Sequence, residues 1–369
     1  MQSEPDVSLF SGESLLARFL DSGYQRAEPA ILQPASIFLD QSGEDIRGRL
    51  YFTADAGGEE LCLRPEYTIP VCRDYLAGAQ AGAQAAFAYC GPVFRMRSEG
   101  KGEFIQSGLE SFGRTDLEAA DAEIFALTLQ AAAHVPLTIR IGDMAVLAQV
   151  LHALDLPPFW LRRIKRGLAT GQNFADMFSL PARNSAQDHS GVLAALEGVD
   201  RKGARALVED LLSIAGISAV GGRSVGEIAD RFLQQSALKS HTQMPGAKQA
   251  ILQEFLGLSG HPDQASLLMR AFAARHKLDL SAELDAFDMR NGFMAAHGID
   301  LETIAFSASF VRNLDYYTGF IFEARRAASA RPCLGGGRYD RLLGTLGAAQ
   351  NIPAVGAAIW VARLAGAAE

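Results

Sequence analysis

The chain is 369 residues long, 49% hydrophobic and 21% charged, with a formal net charge of −8. These values describe a soluble globular protein of about two domains with ample core, and they exclude a disordered or fibrous chain. The acidic balance argues against a general nucleic-acid binder, because such proteins gain affinity by presenting a basic face to phosphates.

Met1 to Asp6 is acidic and lacks the apolar stretch of a secretory leader, and no apolar run reaches the roughly 18 residues of a membrane span. A cytoplasmic location without membrane attachment is expected. Leu15, Leu16, Phe19 and Leu20 fall on one face of a helix over 13–22, after which Gly23 opens an extended stretch toward Ile31. Short strands are expected at 50–53 and 60–63, a helix at 68–76, and an extended segment at 85–96 broken at Gly91-Pro92. Gly100 and Gly102 mark a turn, a strand runs from Glu103 to Phe112, and a helix covers 117–133 with Thr115 or Asp116 as its N-cap. Residues 137–141 close this half as a strand.

From Met144 to about Gly298 apolar residues recur at helical spacing, with breaks at Pro157-Pro158, Gly221-Gly222 and Gly260-His261-Pro262. Within this block Arg162 to Arg166 precede Gly167, a pattern of cations at a helix C-terminus with a glycine cap. Strand patterns return at 303–310 and 320–323, and helices are expected near 339–346 and 354–365. The predicted architecture is α+β: one domain over 1–143 and 299–369, interrupted by a helical insertion over 144–298.

On the strand from Glu103 to Phe112, side chains two apart share a face, so Gln106, Gly108 and Glu110 line one surface. The glycine leaves room for a ligand and the carboxylate accepts from an N–H. The alternative is an exposed polar face on an edge strand. In Leu63 to Thr68, proline forces Arg64 extended and sets Thr68 at a helix start, where Glu66 and Thr68 suit an ammonium. A helix-start turn with a capping threonine accounts for the same residues. Arg312 matches a ligand carboxylate in two-point pairing, with the Tyr317 hydroxyl nearby; a salt bridge and core packing are the alternatives. Together these residues suit an amino acid with an N–H-bearing side chain, read by Glu110. The run Gly335-Gly336-Gly337-Arg338-Tyr339-Asp340 is no phosphate loop, and its glycines permit close backbone approach. The spacings of Cys62, Cys72, Cys90 and Cys333 and of the seven histidines give no metal or disulfide framework, so neither metal nor cofactor is expected.

In order, Leu63–Thr68, Gly91–Arg95, Gln106–Gly113, Val311–Tyr317, Gly336–Asp340 and Pro353–Gly356 resemble histidyl-tRNA synthetase. The resemblance implies a class II synthetase-like antiparallel sheet flanked by helices, with dimerisation through the N-terminal helix and the strand that includes Pro29. It carries a histidine site onto Glu66 and Thr68 at the amino group, Gln106 and Arg312 toward the carboxylate, and Glu110 and Tyr317 at the imidazole. Arg95 and Tyr316 belong to the same lining.

The departures are as informative. The loop Arg95 to Glu103 is a few residues shorter than in the synthetase, and Glu103-Phe104-Ile105 stands where arginines face ATP, so an acid there repels triphosphate. Trp360-Val361-Ala362-Arg363 stands where the synthetase has Gly-Leu-Glu-Arg, and the indole is expected to fill the adenine pocket. After Leu364 only Ala365 to Glu369 follow, with no counterpart of a tRNA-binding module. This combination resembles the regulatory subunits of ATP phosphoribosyltransferase. The family implies a non-catalytic partner of a short-form catalytic subunit in a hetero-octamer, with histidine as feedback effector and no tRNA. A truncated histidine-activating ligase, retaining Arg95, Arg312 and Arg363, is the competing expectation.

Overall fold

Leu15, Leu16 and Phe19 are buried on one face of helix α1 (Gly12–Asp21), whose start is held by the Ser11 hydroxyl accepting from the Ser14 N–H at 3.1 Å. The computed structural model describes residues 11–42, 44–97, 100–172, 174–178, 206, 210, 219–220, 223–224, 244–312, 316–327 and 329–366. The chain divides into two units, Met1–Ala153 with Leu252–Glu369, and Leu154–Ile251.

In the first unit α1 is followed by β1 (Gln25–Arg26), β2 (Leu32–Pro34), α2 (Ser36–Ser42), α3 (Glu44–Arg47), β3 (Phe52–Ala54) and β4 (Glu60–Leu63). Strand β4 pairs antiparallel with both β2 and β3. Next come α4 (Thr68–Ala77), β5 (Ala85–Phe94), β6 (Glu103–Phe112), α5 (Leu117–Ala131), β7 (Leu137–Asp143) and α6 (Met144–Ala153). The second unit holds α7 (Pro158–Ala169), α8 (Phe174–Phe178) and the pair β8 (Ala219–Val220) and β9 (Arg223–Ser224). The expected break at Gly221-Gly222 lies outside the described residues. The unit boundary falls inside α9 (Gly246–Leu256). The first unit resumes with β10 (Ser259–Gly260), α10 (Pro262–His276), α11 (Ser281–Ala296), β11 (Ile304–Ser307) and β12 (Phe320–Arg326). It closes with β13 (Leu334–Arg338), α12 (Leu342–Thr345), β14 (Ala354–Trp360) and α13 (Val361–Ala365).

Among the described residues, nine strands form the main sheet in the order β1-β5-β6-β14-β13-β12-β7-β11-β10. Its pairs are antiparallel except β1 with β5 and β7 with β11. Helix α5 lies across β6, β13 and β14, with α1 beside it and α11 behind it. Phe125 of α5 meets Phe320 and Phe322 of β12 at ring distances of 5.5 and 4.9 Å. A chain of buried charges crosses this layer. Arg338 at the end of β13 pairs with Asp121 of α5 at 2.7 Å, and Arg290 of α11 pairs with Asp143 at 2.6 Å and lies 3.7 Å from Asp121. Such a network is costly to break at one member, because each loss leaves an uncompensated buried charge. Among the described residues no helix is long and apolar enough to cross a membrane.

Three local expectations are corrected, and the glycine run, expected to permit close backbone approach, does so as a strand. Residues 354–360 form a strand, not a helix: a seven-residue apolar run fits either period, and here β6 and β13 pair with it on both sides. The glycine run is itself strand β13, and a Cβ at Gly336 would collide with the Gly356 carbonyl and with Ala357 of β14. Strand β5 passes unbroken through Gly91-Pro92, since β1 pairs with it only at Phe87 and Ala88 and Pro92 lacks no N–H that a second neighbour needs. Helix α7 continues past Gly167 to Ala169; glycine there makes room for the Met177 thioether.

Candidate ligand-binding site

The start of α4 places the first two predicted residues. Both oxygens of Glu66 accept backbone N–H groups, from Thr68 at 2.6 Å and Ile69 at 2.9 Å. A carboxylate two residues before the helix therefore meets its orphan donors and its positive dipole end. Capping by Glu66 frees the Thr68 hydroxyl, which donates to Glu110 Oε1 at 2.8 Å. Burial pushes the Glu66 carboxyl up from its ordinary value, opposed by those N–H groups and by Arg95. Arg95 donates to the Pro65 carbonyl at 2.7 Å, and burial pushes its guanidinium down to about 10, against the attraction of Glu66.

Strand β6 lies between β5 and β14, so the edge-strand alternative does not hold, and Gln106 and Glu110 are buried on the face that carries α4. Glu110 is 1% exposed and accepts from three hydroxyls: Thr68, Tyr89 at 3.2 Å and, in a short contact, Tyr339. Burial pushes its carboxyl up to about 8, with the hydroxyls pulling it down and the neighbouring Glu66 pushing the same way as burial. Glycines create the space. A Cβ at Gly356 would strike Glu110 Oε2, and one at Gly108 would strike the Tyr89 hydroxyl and the Ala357 carbonyl. The room above Gly108 thus belongs to Tyr89, not to a ligand lying on the strand. Tyr89 is fixed by parallel stacking on Tyr67 at 4.3 Å, which in turn carries the Arg64 guanidinium 4.0 Å from its ring centre.

Tyr316 stands 4.7 Å from Tyr317 and stacks on Tyr339 at 5.3 Å, joining the third predicted segment to Glu110 through an aromatic wall. The Arg312 guanidinium lies 5.9 Å from the Tyr317 ring centre, and a Cβ at Gly335 would come within 2.9 Å of Arg312 Nη1. Asn313, Leu314 and Asp315 of the motif lie outside the described residues. Glu66, Thr68, Glu110, Arg312, Tyr316 and Tyr317 are therefore linked directly or through Tyr339. Arg95 joins through its attraction to Glu66. Gln106 Oε1 is buried and has no hydrogen-bond partner among the described residues. Tyr89 and Tyr339 are absent from the residues predicted to line the site. Alternation along 85–94 would have put Tyr89 on this face, whereas Tyr339 needed the glycine run to be read as a strand.

The set offers acceptors, hydroxyls, an amide and cations around a buried acid, a chemistry suited to a small zwitterion with an N–H side chain. The described residues contain no cluster of three or more metal-ligating side chains.

A family model described as histidyl-tRNA synthetase matches residues 11–220 and 203–364. A protein of Agrobacterium fabrum (strain C58) named ATP phosphoribosyltransferase regulatory subunit is 40% identical over 371 residues, covering 97% of this chain and 96% of the relative. Its namesake in Brucella ovis is 41% identical over 347 residues, covering 91% of each. Among solved structures, an ATP phosphoribosyltransferase regulatory subunit/histidyl-tRNA synthetase of Bacillus halodurans superposes with a TM-score of 0.69 at 20% identity, over 99% of this chain and 81% of the other. Histidyl-tRNA synthetase of Nostoc gives 0.61 at 17% identity, over 99% and 74%. These likenesses support the synthetase-like fold, and the curated relatives settle the branch: the chain belongs to the family of ATP phosphoribosyltransferase regulatory subunits.

Proposed function

We propose that this chain is a non-catalytic regulatory subunit acting with a short-form ATP phosphoribosyltransferase catalytic subunit at the first step of histidine biosynthesis. In this reading it binds free histidine in the pocket around Glu110 and reports the end-product level to the catalytic partner. The names of the relatives support the assembly, and the pocket's chemistry supports the effector. Cytoplasmic location, a hetero-octameric assembly and independence from tRNA belong to the same proposal.

The observation that carries the reading is Glu110, an acid buried among hydroxyls where it accepts an imidazole N–H and tolerates a shared proton. Tyr317 and Tyr316 enclose the ring. Glu66 and Thr68 take the ammonium, Gln106 and Arg312 the carboxylate, and Arg95 adds positive field. For histidine to inhibit, it must bind two quaternary states differently, and couplings of about 1–3 kcal/mol, or about 5- to 150-fold in affinity, are typical.

Calorimetric titration of the isolated chain with histidine tests this. Saturable binding is expected, weakened at least about tenfold by Glu110→Ala, since a hydrogen bond to a charged group contributes about 1.5–3 kcal/mol. No binding, or equal binding by the variant, contradicts it.

A further inference from the structure

Trp360 ends β14, and its Cα is paired across the strands with Gln106 of β6. The alternation that puts Gly356 against Glu110 puts Trp360 on the same face of the sheet, two pairs along. Its side chain is 9% exposed, yet its indole N–H has no hydrogen-bond partner among the described residues. Gln106 Oε1, the nearest paired position, is in the same condition. A buried donor and a buried acceptor on two residues paired across the strands, each without a partner among the described residues, are costly in an empty protein, because each carries the full desolvation penalty without a bond. Retaining both at the edge of a pocket built for a zwitterion has a chemical explanation: an α-amino acid presents an ammonium and a carboxylate on adjacent positions, one to donate and one to accept.

We infer that Trp360 is a ligand-contacting residue, whose indole N–H donates to the carboxylate of the bound amino acid, while the Gln106 amide donates to the same carboxylate through Nε2 and accepts from the ammonium through Oε1. The local charges favour this direction. The Arg363 guanidinium lies 5.0 Å from the Trp360 ring centre, which puts a cation beside the indole. The bulk of the indole also gives selectivity. It leaves the pocket fit for a free carboxylate and hinders a carboxyl group extended by an ester, amide or acyl phosphate.

The inference rests on histidine binding in the Glu110 pocket, and Trp360→Phe separates the two, since it keeps an aromatic ring at the position and removes the N–H. The measurement compares binding of histidine and of histamine, which lacks the carboxylate, to wild type and variant. Trp360→Phe should weaken histidine roughly tenfold, as expected for one hydrogen bond to a charged group. It should leave histamine binding unchanged. Equal histidine binding by wild type and variant overturns the assignment, as does an equal loss for both ligands, which marks a packing role. Failure of wild type to bind histidine instead overturns the underlying reading and this inference with it. A second test needs no change at Trp360. In a Trp160→Phe protein, where Trp360 is the remaining tryptophan, its emission should change saturably with histidine and not with histamine; a response to neither or to both is contrary.

Discussion

Glu110 sets the pH dependence of the site. With its carboxyl pushed up to about 8, it holds a proton at neutral pH in the empty pocket, whereas free imidazole, with an ordinary pKa of about 6.5, is neutral. In the proposed histidine complex the carboxyl proton passes to the imidazole, which would give an ion pair with no net exchange of protons between about pH 6.5 and about 8. Above that window Glu110 has already ionised and the complex must draw a proton from water; below it the imidazole arrives charged and Glu110 must release one. Histidine affinity should therefore be greatest between about pH 6.5 and 8, falling by up to about tenfold per unit on either side. Titration calorimetry across pH checks this, and a level profile from pH 5 to 9 contradicts it. The same elevation acts on folding. The native carboxyl keeps a proton that the unfolded chain gives up above its ordinary value of 4.5, so the contribution of Glu110 to stability falls as pH rises from about 4.5 to about 8. Asp121, pushed up to about 6 by burial, acts in the same direction over a narrower range. Glu110→Gln should flatten the part of the Tm-against-pH curve above about 6, and an unchanged slope there would exclude this origin.

At the scale of elements, the site depends on how closely β6, β14 and β13 approach. Gly356 sits opposite Glu110 on one side and Gly337 on the other. Gly356→Ala would drive a methyl into Glu110 Oε2 and toward the Leu109 carbonyl. Overpacking of this kind costs about 1–3 kcal/mol, which lowers Tm by about 2–4 °C per kcal/mol in a domain of this size. The variant should melt several degrees lower and bind histidine more weakly; an unchanged Tm and affinity would show that the strands can separate at no cost. These strands were also the hardest elements to read in the sequence. Strand β6 was legible over its whole length between the Gly100–Gly102 turn and the Gly113 end, and the two-residue period then put Gln106 and Glu110 on one face. Ala354 to Trp360 has no alternation, since both faces are buried, and the Gly335 to Gly337 run has no side chains with which to show any. Helix α4 was legible, but its capping was not: the carboxylate of Glu66, not the threonine, meets the N–H groups, and only coordinates show that the threonine hydroxyl is then free for Glu110.

For the whole molecule, the order of six short motifs carried the family, although each motif is weak when taken singly. Periodicity places the helical segment at 144–298, while the units divide at Ala153 and Leu252. Periodicity cannot report that α11 packs on α5 within the first unit, nor that Arg290 joins the buried charges of Asp121 and Asp143. Regulation requires the pocket and a catalytic partner to share one equilibrium, so occupancy must change the activity of the assembled enzyme. The decisive measurement is therefore ATP phosphoribosyltransferase activity of this chain mixed with a short-form catalytic subunit, titrated with histidine, for wild type and Glu110→Ala. Activity that depends on adding this chain, is inhibited by histidine in the wild type and loses that inhibition in the variant, with assembly intact, is the expected result. Inhibition that persists unchanged in Glu110→Ala would place histidine sensing elsewhere and contradict the role assigned to this pocket.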